Sequence, residues 1–344
     1  MSRVDVVIPC YNYGRFLAAC VRGALDDQPG VDVRVLIIDD ASQDDSAEIA
    51  RQLAAGDDRI ELRVHTENRG HIATFNEGLI DWADGDYCVL ISADDKLCPG
   101  ALGRAADLMD THPEVGFVYG EVLKFHDGEP IPPAQTQVRG QAIWPGHEWV
   151  AQRFREAHTV VFSPEVVVRT SVQHKVGGYN PDLYHTSDVE MWMRLASVSD
   201  VGYIHASQAW KRQHDGMMSN ENDELMHLEQ RRGAYESVIR QYGDVLPNPA
   251  QLSDVVHRQL AKEALWTAAR AYDTRQTGKV PVADLERFAF DCWPAAASLG
   301  TYRSLQWRRR VGPAIAPYFQ PLVWPRLLAR ETLGLARQVK EKRA

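Results

Sequence analysis

The chain has 344 residues, of which 44% are hydrophobic, so it can bury a large core, and its length predicts about two domains. Its formal net charge of −9 argues against a general nucleic-acid-binding protein. Five cysteines without a CxxC pair argue against a disulfide framework or a zinc ribbon and favour a reducing, cytoplasmic setting. We find no apolar run long enough for a secretory leader or a transmembrane helix.

The first 120 residues alternate between strand and helix patterns. The predicted strands are Val4–Pro9, Val33–Asp39, Ile60–His65, Tyr87–Ser92 and Val115–Glu121. The predicted helices are Arg15–Leu25, Asp44–Ala54, Ile72–Trp82 and one that follows Pro99. Because apolar strands alternate with helices, we predict an α/β fold whose mostly parallel central sheet is covered by helices on both faces. Such sheets bind ligands beyond the carboxyl ends of their strands.

The pattern changes after residue 125. The elements predicted there are a loop over Asp127–Pro145, strands over Glu165–Thr170 and Val201–His205, and helices over Ser187–Ser197, Glu224–Tyr242 and Gln251–Asp273. Beyond residue 222 the pattern is mainly helical, which predicts a helical C-terminal extension. We therefore divide the chain into residues 1–125, 126–221 and 222–344.

Polar and acidic side chains gather where three of the predicted strands end. The first strand leads into Asn12, the second ends in Asp39 and Asp40, and the fourth leads into Asp94 and Asp95. Carboxylates on one rim of a sheet repel one another, so the cluster predicts a bound cation or polar ligand. A hard divalent ion, held by one or two carboxylates and completed by diphosphate oxygens, meets that need. The alternative is that each Asp pair only caps the helix that follows it.

These strand ends belong to a longer series of motifs. The series is Val6–Gly14, Val35–Ser42, Glu67–Gly70 with Phe75–Gly78, Ser92–Asp95, Gly177–Asn180 and Ser187–Arg194. In order and spacing it resembles the family 2 glycosyltransferases, and the resemblance covers about residues 1–220. It implies the GT-A nucleotide-diphospho-sugar transferase fold, in which residues 1–125 bind the donor and residues 126–221 bind the acceptor.

The activity that the resemblance implies is inverting transfer of a sugar from a nucleotide-diphosphate donor, usually a UDP-sugar, to an acceptor hydroxyl. Mn²⁺ or Mg²⁺ would be the cofactor. The acceptor would be a saccharide or a lipid-linked sugar, in the biosynthesis of a polysaccharide or a glycolipid of the cell envelope.

The resemblance also assigns a role to each matching position. The residues that would bind the donor are Pro9, Tyr11, Asn12, Asp39, Asp40, Asn68, Arg69, Gly70, Asn76 and Asp94. Within this set, Asp40 would accept a hydrogen bond from the base of the donor. The remaining positions are the metal-binding pair Asp94 and Asp95, the catalytic base Asp188, and a pocket residue, His214. Glu190, two positions after Asp188, is the rival candidate for the base and a second pocket candidate.

Two positions depart from the family pattern. Ser92 stands where many members have an Asp that contacts the ribose or the metal, and Phe75 stands where many have an Arg. The second departure removes a cation that would face the phosphates, so Arg69 or His71 is expected to compensate.

The chemistry explains why these residue types are needed. A departing diphosphate gathers negative charge, which a divalent ion stabilises as a Lewis acid. The acceptor hydroxyl needs a base within about 3 Å, and Asp188, at the start of a predicted helix, can supply it. The alternative for Asp188 is an ordinary first-turn acid, and the alternative for Glu190 is a salt bridge to Arg194 at i+4.

Residues 303–344 carry ten basic and two acidic residues, with aromatic and aliphatic residues between them. This segment predicts either peripheral contact with an anionic membrane at its cytoplasmic face, or a solvated helix that caps the domain or joins copies in a homo-oligomer.

Two other functions stay open. A sugar nucleotidyltransferase needs a Gly-rich loop with Arg and Lys after the first strand, which Cys10–Arg15 matches poorly. A nucleotide-sugar-binding protein without catalysis is disfavoured because both the metal motif and Asp188 are present. Dinucleotide cofactors and P-loop chemistry are disfavoured because the sequence has neither GxGxxG after the first strand nor GxxxxGK[ST].

Overall fold

The structure is a computed structural model that describes residues 1–158, 161–214 and 223–318. The chain divides into two units. One consists of Met1–Val150 and Val161–Glu221, and the other of Ala151–Val160 and Asn222–Ala344.

One sheet organises the first unit. Its strands are β1 (Ser2–Cys10), β2 (Val31–Asp39), β3 (Ile60–Val64), β4 (Tyr87–Leu90), β5 (Lys96–Leu97), β6 (Val115–His126), β7 (Gln141–Trp144), β8 (Val167–Arg169) and β9 (Asp200–Gln213). Their order across the sheet is β3-β2-β1-β4-β8-β6-β9-β5, and β7 pairs with β9. The predicted α/β class is therefore confirmed.

The direction of the strands differs from the prediction in part of the sheet. The pairs β1–β2, β2–β3, β1–β4 and β6–β9 are parallel, whereas β4–β8, β6–β8, β5–β9 and β7–β9 are antiparallel. The sheet is thus mixed, because the short strands β5, β7 and β8, which lie outside the repeated strand–helix pattern, pair antiparallel with their neighbours. The predicted loop over Asp127–Pro145 is also wrong in part, since it contains β7, a four-residue strand between Gly140 and Pro145 that was too short to be recognised.

Helices connect the strands of the first unit and form most of the second. In the first unit they are α1 (Gly14–Leu25), α2 (Ser46–Gly56), α3 (His71–Asn76), α4 (Ala101–Thr111), α6 (Thr170–Val176) and α7 (Ser187–Ala196), with a π-helical turn over Glu77–Trp82 and a 3₁₀ turn over Ser163–Glu165. Helix α5 (Gly146–Glu156) follows β7. The second unit contains α8 (Glu224–Tyr242), α9 (Pro249–Asp273), α10 (Val282–Cys292), a 3₁₀ turn over Pro294–Ser298, and α11 (Gly300–Val311). Among the described residues, no helix combines the length and apolar character that a membrane span needs.

The central strands are buried on both faces. Val6 and Ile8 of β1 pack with Val35 and Ile37 of β2 in one apolar cluster, and Val7 of β1 is fully buried as well. Strands of this kind read as continuous apolar runs, which is why β1 and β2 could be located from the sequence. Their burial fixes the carboxyl ends of β1 and β2 side by side, where the polar residues begin.

A single charge interrupts the apolar centre of β1. Asp5 is 0% exposed, and its carboxylate accepts hydrogen bonds from Arg34 Nε at 2.9 Å and from the backbone N–H groups of Asp84 and Gly85 at 2.8 and 2.7 Å. Burial alone would raise the pKa of Asp5, but the hydrogen bonds from Arg34, Gly85 and Asp84 outweigh it and leave the pKa below its ordinary value. The ionised carboxylate therefore ties β1 to β2 and to the turn before β4.

We expect Asp5→Ala to lower the free energy of unfolding by about 3 kcal/mol, because it leaves Arg34 Nε and two backbone N–H groups without their acceptor. Urea unfolding at pH 7 measures the loss. The contribution of Asp5 is present at neutral pH and is lost as the pH falls through the lowered pKa of its carboxyl group. The control is Asp107→Ala on the exposed face of α4, which should change stability by less than about 0.5 kcal/mol. Equal midpoints for the two variants would contradict this account.

Candidate functional site

A cavity of about 980 Å³ opens at the carboxyl ends of β1, β2 and β4 in the first unit. Its lining residues are Pro9, Cys10, Tyr11, Asn12, Tyr13, Arg15, Asp40, Asp44, Asp45, Asn68, Gly70, His71, Thr74, Phe75, Ser92, Asp94, Tyr184, Lys211 and His214. The cavity lies where ligands bind in sheets of this type, and it is large enough for a nucleotide with an attached sugar.

The sequence-predicted residues fall into two groups. Those that line the cavity are Pro9, Tyr11, Asn12, Asp40, Asn68, Gly70, Asp94 and His214. Those that are not on its wall are Asp39, Arg69, Asn76, Asp95, Asp188 and Glu190. The second group lies behind the first or beside it, and the contacts described below show what each of its members binds.

The loops after β1 and β2 hold each other in place. Asn12 has φ 59°, a conformation that Asn tolerates better than most residues. Its backbone N–H donates to Ser42 Oγ at 3.0 Å, and its Oδ1 accepts from Gln43 N–H at 2.7 Å. Asp39 closes the second loop by accepting the N–H of Ser42 at 3.1 Å. The ring of Tyr11 is left 45% exposed at the cavity wall, where a flat ligand group can stack on it.

Asp40 is buried at the cavity wall, and the loop after β3 holds its carboxylate. Oδ1 accepts from the backbone N–H of Arg69 at 2.8 Å, and Oδ2 accepts from that of Gly70 at 3.0 Å. Oδ1 also lies 2.7 Å from His65 Nδ1. The Arg69 side chain turns to Glu77 at 3.3 Å, so the backbone of this residue, and not its guanidinium, serves the site.

The two carboxylates after β4 have different surroundings. Asp94 Oδ2 lies 3.1 Å from His214 Nε2, while Asp94 Oδ1 is buried and accepts no hydrogen bond from any residue that the structure describes. Asp95 accepts the backbone N–H of Arg212 at 2.9 Å and lies 4.0 Å from Lys211 Nζ. Burial and the neighbouring Asp94 raise the pKa of Asp95 to about 7. Only Asp94 lines the cavity, whereas Asp95 is bound by the protein itself.

The residues at this edge fit a divalent ion that is shared with a ligand. Across residues 1–158, 161–214 and 223–318, no group of three or more His, Cys, Asp or Glu side chains is placed to hold a metal ion. A complete protein cage is therefore not available in that part of the chain. Asp94 lines the cavity and has one unsatisfied oxygen, and such a carboxylate suits Mg²⁺ or Mn²⁺, which one or two carboxylates hold together with phosphate oxygens.

Asp188 lies in the first turn of α7. Its Oδ1 accepts the N–H of Val189 at 2.7 Å. Burial raises the pKa of Asp188 to about 6, although the positive charge of Lys211 works against the shift. A carboxylate with this pKa is ionised at neutral pH and is a stronger base than an ordinary Asp.

Glu190 and Asn76 have structural contacts. Glu190 is fully buried and binds Arg194 at 2.8 Å, and Arg194 donates to the carbonyl of Gly178 at 2.6 Å. Asn76 accepts the N–H of Tyr179 at 2.6 Å and donates to its carbonyl at 2.9 Å. Both residues therefore hold the Gly177–Asn180 turn.

The other wall of the cavity contains residues that the motifs did not assign. His71 contacts the rings of Phe75 and Tyr184, with centroid distances of 5.2 and 4.3 Å. Burial lowers the pKa of His71, so it is neutral at pH 7 and does not replace the cation that Phe75 removes. Lys211 lines the cavity instead, and its place in the segment that ends at His214 was the signal that could have identified it.

Residues 5–169 match the family model described as glycosyl transferase family 2. Over 221 residues the chain is 26% identical to an uncharacterized protein of Mycobacterium tuberculosis, a match that covers 58% of this chain and 64% of that protein. Over 92 residues it is 34% identical to the glycosyltransferase GlyG of Streptococcus pneumoniae, covering 27% and 30%. The chain thus spans less than two thirds of the length of either relative.

Solved structures share the fold. TarS of S. aureus, in complex with UDP-GlcNAc, superposes with a TM-score of 0.64 at 14% identity and covers 93% of this chain and 92% of its own. The mannosyltransferase PcManGT from Pyrobaculum calidifontis, in complex with GDP-Man and Mn²⁺, gives a TM-score of 0.54 at 19% identity and covers 93% and 88%. These likenesses confirm the predicted GT-A fold. Residues 5–169 of the chain are thus similar to the family 2 glycosyltransferases.

Proposed function

We propose that the chain transfers a sugar, with inversion, from a UDP-sugar to an acceptor hydroxyl. The observation that carries this proposal is the shared cavity of Asp40, Asp94 and Lys211, which offers a hydrogen-bond acceptor, an unsatisfied carboxylate oxygen and a cation. In a nucleotide-diphosphate donor, Asp40 suits the base, Asp94 suits a metal ion bound to the diphosphate, and Lys211 suits the negative charge of the diphosphate. The UDP-GlcNAc bound by TarS supports the choice of nucleotide.

The base would lie against Pro9 and Tyr11, which line the cavity beside Asp40. An ionised carboxylate only accepts hydrogen bonds, so Asp40 suits a base with a ring N–H, such as uracil. Asn12 holds the loop after β1 and so fixes the wall on which the nucleoside would rest.

The diphosphate would lie between Asp94 and Lys211. Asp94 would hold Mn²⁺ or Mg²⁺, while His214 orients its carboxylate from 3.1 Å. A bound divalent ion supplies Lewis-acid stabilisation of the departing diphosphate. Asp95 would keep this segment in place through Arg212, and Lys211 adds a second positive charge on the cavity wall.

Asp188 would remove the proton of the acceptor hydroxyl. Its raised pKa of about 6 suits a base that works near neutral pH. In an inverting transfer this oxygen attacks the anomeric carbon from the face opposite the diphosphate. The rings of Phe75 and Tyr184 offer an apolar wall for a saccharide or lipid-linked acceptor, and polysaccharide or glycolipid synthesis at the cytoplasmic face of a membrane is the setting we propose.

Donor binding with and without metal tests the proposal. UDP is expected to raise the melting temperature of the wild-type protein, and Mn²⁺ is expected to increase the shift, because ligands that bind the folded state stabilise it by mass action. Asp94→Asn should lose the part of the shift that depends on Mn²⁺. Asp107→Asn, on the exposed face of α4, is the matched control and should behave as wild type. If neither UDP nor Mn²⁺ with UDP shifts the wild-type protein, the proposal fails. Pyrophosphate release from UTP and a sugar phosphate would identify a nucleotidyltransferase instead.

Asp188→Asn is expected to lower transfer about 10²- to 10⁴-fold and to leave the Kd for UDP unchanged, because it removes the base without touching the donor. UDP release from the donor with the largest thermal shift, in the presence of a saccharide panel, measures transfer. The wild-type rate should fall as the pH drops below about 6, where Asp188 takes up a proton. The variant should fold at pH 7.5, since a carboxyl with a raised pKa favours folding only in its protonated form. Unchanged transfer would exclude Asp188 as the base.

We also propose that the basic segment of residues 303–344 contacts anionic lipid. Residues 319–344 lie outside the described residues, but Arg303, Trp307 and Arg310 on α11 and Tyr318 beyond it are exposed. Basic and aromatic side chains together suit the interface of an anionic bilayer.

Vesicle co-sedimentation tests this contact. The full chain is expected to bind vesicles that contain phosphatidylglycerol and not vesicles of phosphatidylcholine alone. Removing residues 319–344, or changing Trp307→Ala with α11 in place, should reduce binding severalfold at low ionic strength. Binding that is the same for all three proteins would refute the contact.

A further inference from the structure

The side chain behind Asp40 is a buried histidine that the proposed mechanism does not use. His65 follows β3 and is 7% exposed, and its backbone N–H donates to the carbonyl of Asp39 at 2.9 Å. Its Nδ1 lies 2.7 Å from Asp40 Oδ1, and its Nε2 lies 3.0 Å from Glu77 Oε2. The imidazole ring therefore bridges a carboxylate on the cavity wall and a second carboxylate behind it.

This geometry determines how many protons the ring carries. A neutral imidazole has one N–H donor and one bare nitrogen, whereas an ionised carboxylate only accepts hydrogen bonds. With a carboxylate oxygen at hydrogen-bond distance from each ring nitrogen, a neutral ring would set a lone pair against an oxygen. Both contacts are favourable only when both nitrogens carry a proton.

Asp40 and Glu77, the two partners of His65, also accept hydrogen bonds from other groups, which favour their ionised forms. Asp40 accepts the backbone N–H groups of Arg69 and Gly70. Glu77 lies 3.3 Å from the guanidinium groups of both Arg63 and Arg69. Burial would raise the pKa of Glu77, but its hydrogen bonds to His65 and Arg63 outweigh burial and leave the pKa below the ordinary value.

The charged groups of the cluster balance one another. Arg63 also binds Glu61 at 3.2 Å, so the groups around the ring are Asp40, Glu61 and Glu77 against Arg63 and Arg69. With three carboxylates and two guanidinium groups, a positive charge on His65 completes the balance.

We propose that His65 is held as an imidazolium between Asp40 and Glu77, and that it positions Asp40 to receive the base of the donor. The inference rests on the proposed function for the identity of the ligand of Asp40. His65 and the Arg69 N–H occupy the two lone pairs of Oδ1, and Gly70 N–H occupies one lone pair of Oδ2. The remaining lone pair of Oδ2 is then the acceptor for a base with a ring N–H.

His65 is a positioning residue in this account, since Asp40 lies between it and the cavity. Without the imidazolium, the carboxylate keeps its two backbone hydrogen bonds but loses the charged contact that fixes Oδ1. Donor binding should then weaken more than the chemical step, because the reacting atoms lie at Asp94 and Asp188 and not at Asp40.

The protonation state can be read directly. In wild-type protein labelled with ¹⁵N-histidine at pH 7.5, without nucleotide, a long-range ¹H–¹⁵N spectrum should show the His65 ring with both nitrogens protonated. The signal is assigned by its absence from His65→Gln among the twelve histidines of the chain. A neutral ring for His65 would overturn the inference whatever the binding data show.

The effect on the donor site is measured by titration with UDP. His65→Gln keeps an amide donor but not the positive charge, and it should raise the Kd for UDP about tenfold. It should raise the KM for the donor by a similar factor and change kcat by less than about threefold. The matched control is His112→Gln, because His112 is 40% exposed, lies 3.2 Å from Glu114, and should leave both constants unchanged.

Glu77→Gln removes the charge on the far side of the ring and keeps an acceptor, so it should raise the Kd for UDP by less than His65→Gln does. It also supplies the binding test if His65→Gln does not fold. If the wild-type protein binds no UDP, the proposed function is wrong, and so is the role of His65 in positioning Asp40 for the donor. Wild-type protein that binds UDP, together with variants at His65 and Glu77 whose Kd is unchanged, overturns this inference alone.

Discussion

The site depends on the desolvation of carboxylates at the ends of parallel strands. Burying an ionised carboxylate is costly unless hydrogen bonds or opposite charges compensate it. The fold brings β1, β2 and β4 to one edge, so that Asp40, Asp94 and Asp95 lie where water is largely excluded. What each carboxylate can do is decided by what compensates its charge.

That criterion separates the acidic residues by role. Asp95 receives the backbone N–H of Arg212 and part of the charge of Lys211, although burial and Asp94 still raise its pKa. Asp39 and Asp94 each have an oxygen that is buried without a hydrogen bond from the described residues, but only Asp94 lines the cavity. In the proposed function, Asp94 is therefore the carboxylate that would hold the cation. The sequence Asp94-Asp95 alone does not show which of the two residues has which role, because the side chains of adjacent loop residues point in different directions.

Much of the donor-binding side of the site could be predicted from the sequence, because its signals lie within short segments of the chain. Continuous apolar runs located β1, β2 and β4, and the polar residues that follow those runs are fixed at the edge by the register of the strands. The acceptor side was harder. Strand β7 has four residues within a Gly- and Pro-containing segment, so it leaves no period that a sequence can reveal, whereas β8 lies within the strand predicted over Glu165–Thr170. The antiparallel pairs of β8 with β4 and β6 depend on contacts between distant segments.

The residues that sequence analysis missed share one property, which is that their partners are remote in the chain. His65 meets Asp40 across 25 positions, and Lys211 approaches Asp95 from the far end of β9. Lys211 also acts on both halves of the proposed reaction, because its positive charge partly counteracts the rise in pKa that burial causes at Asp95 and at Asp188. Asp95 and Asp188 thus share one cation, so replacing Lys211 with a neutral residue would raise the pKa of both carboxyl groups together.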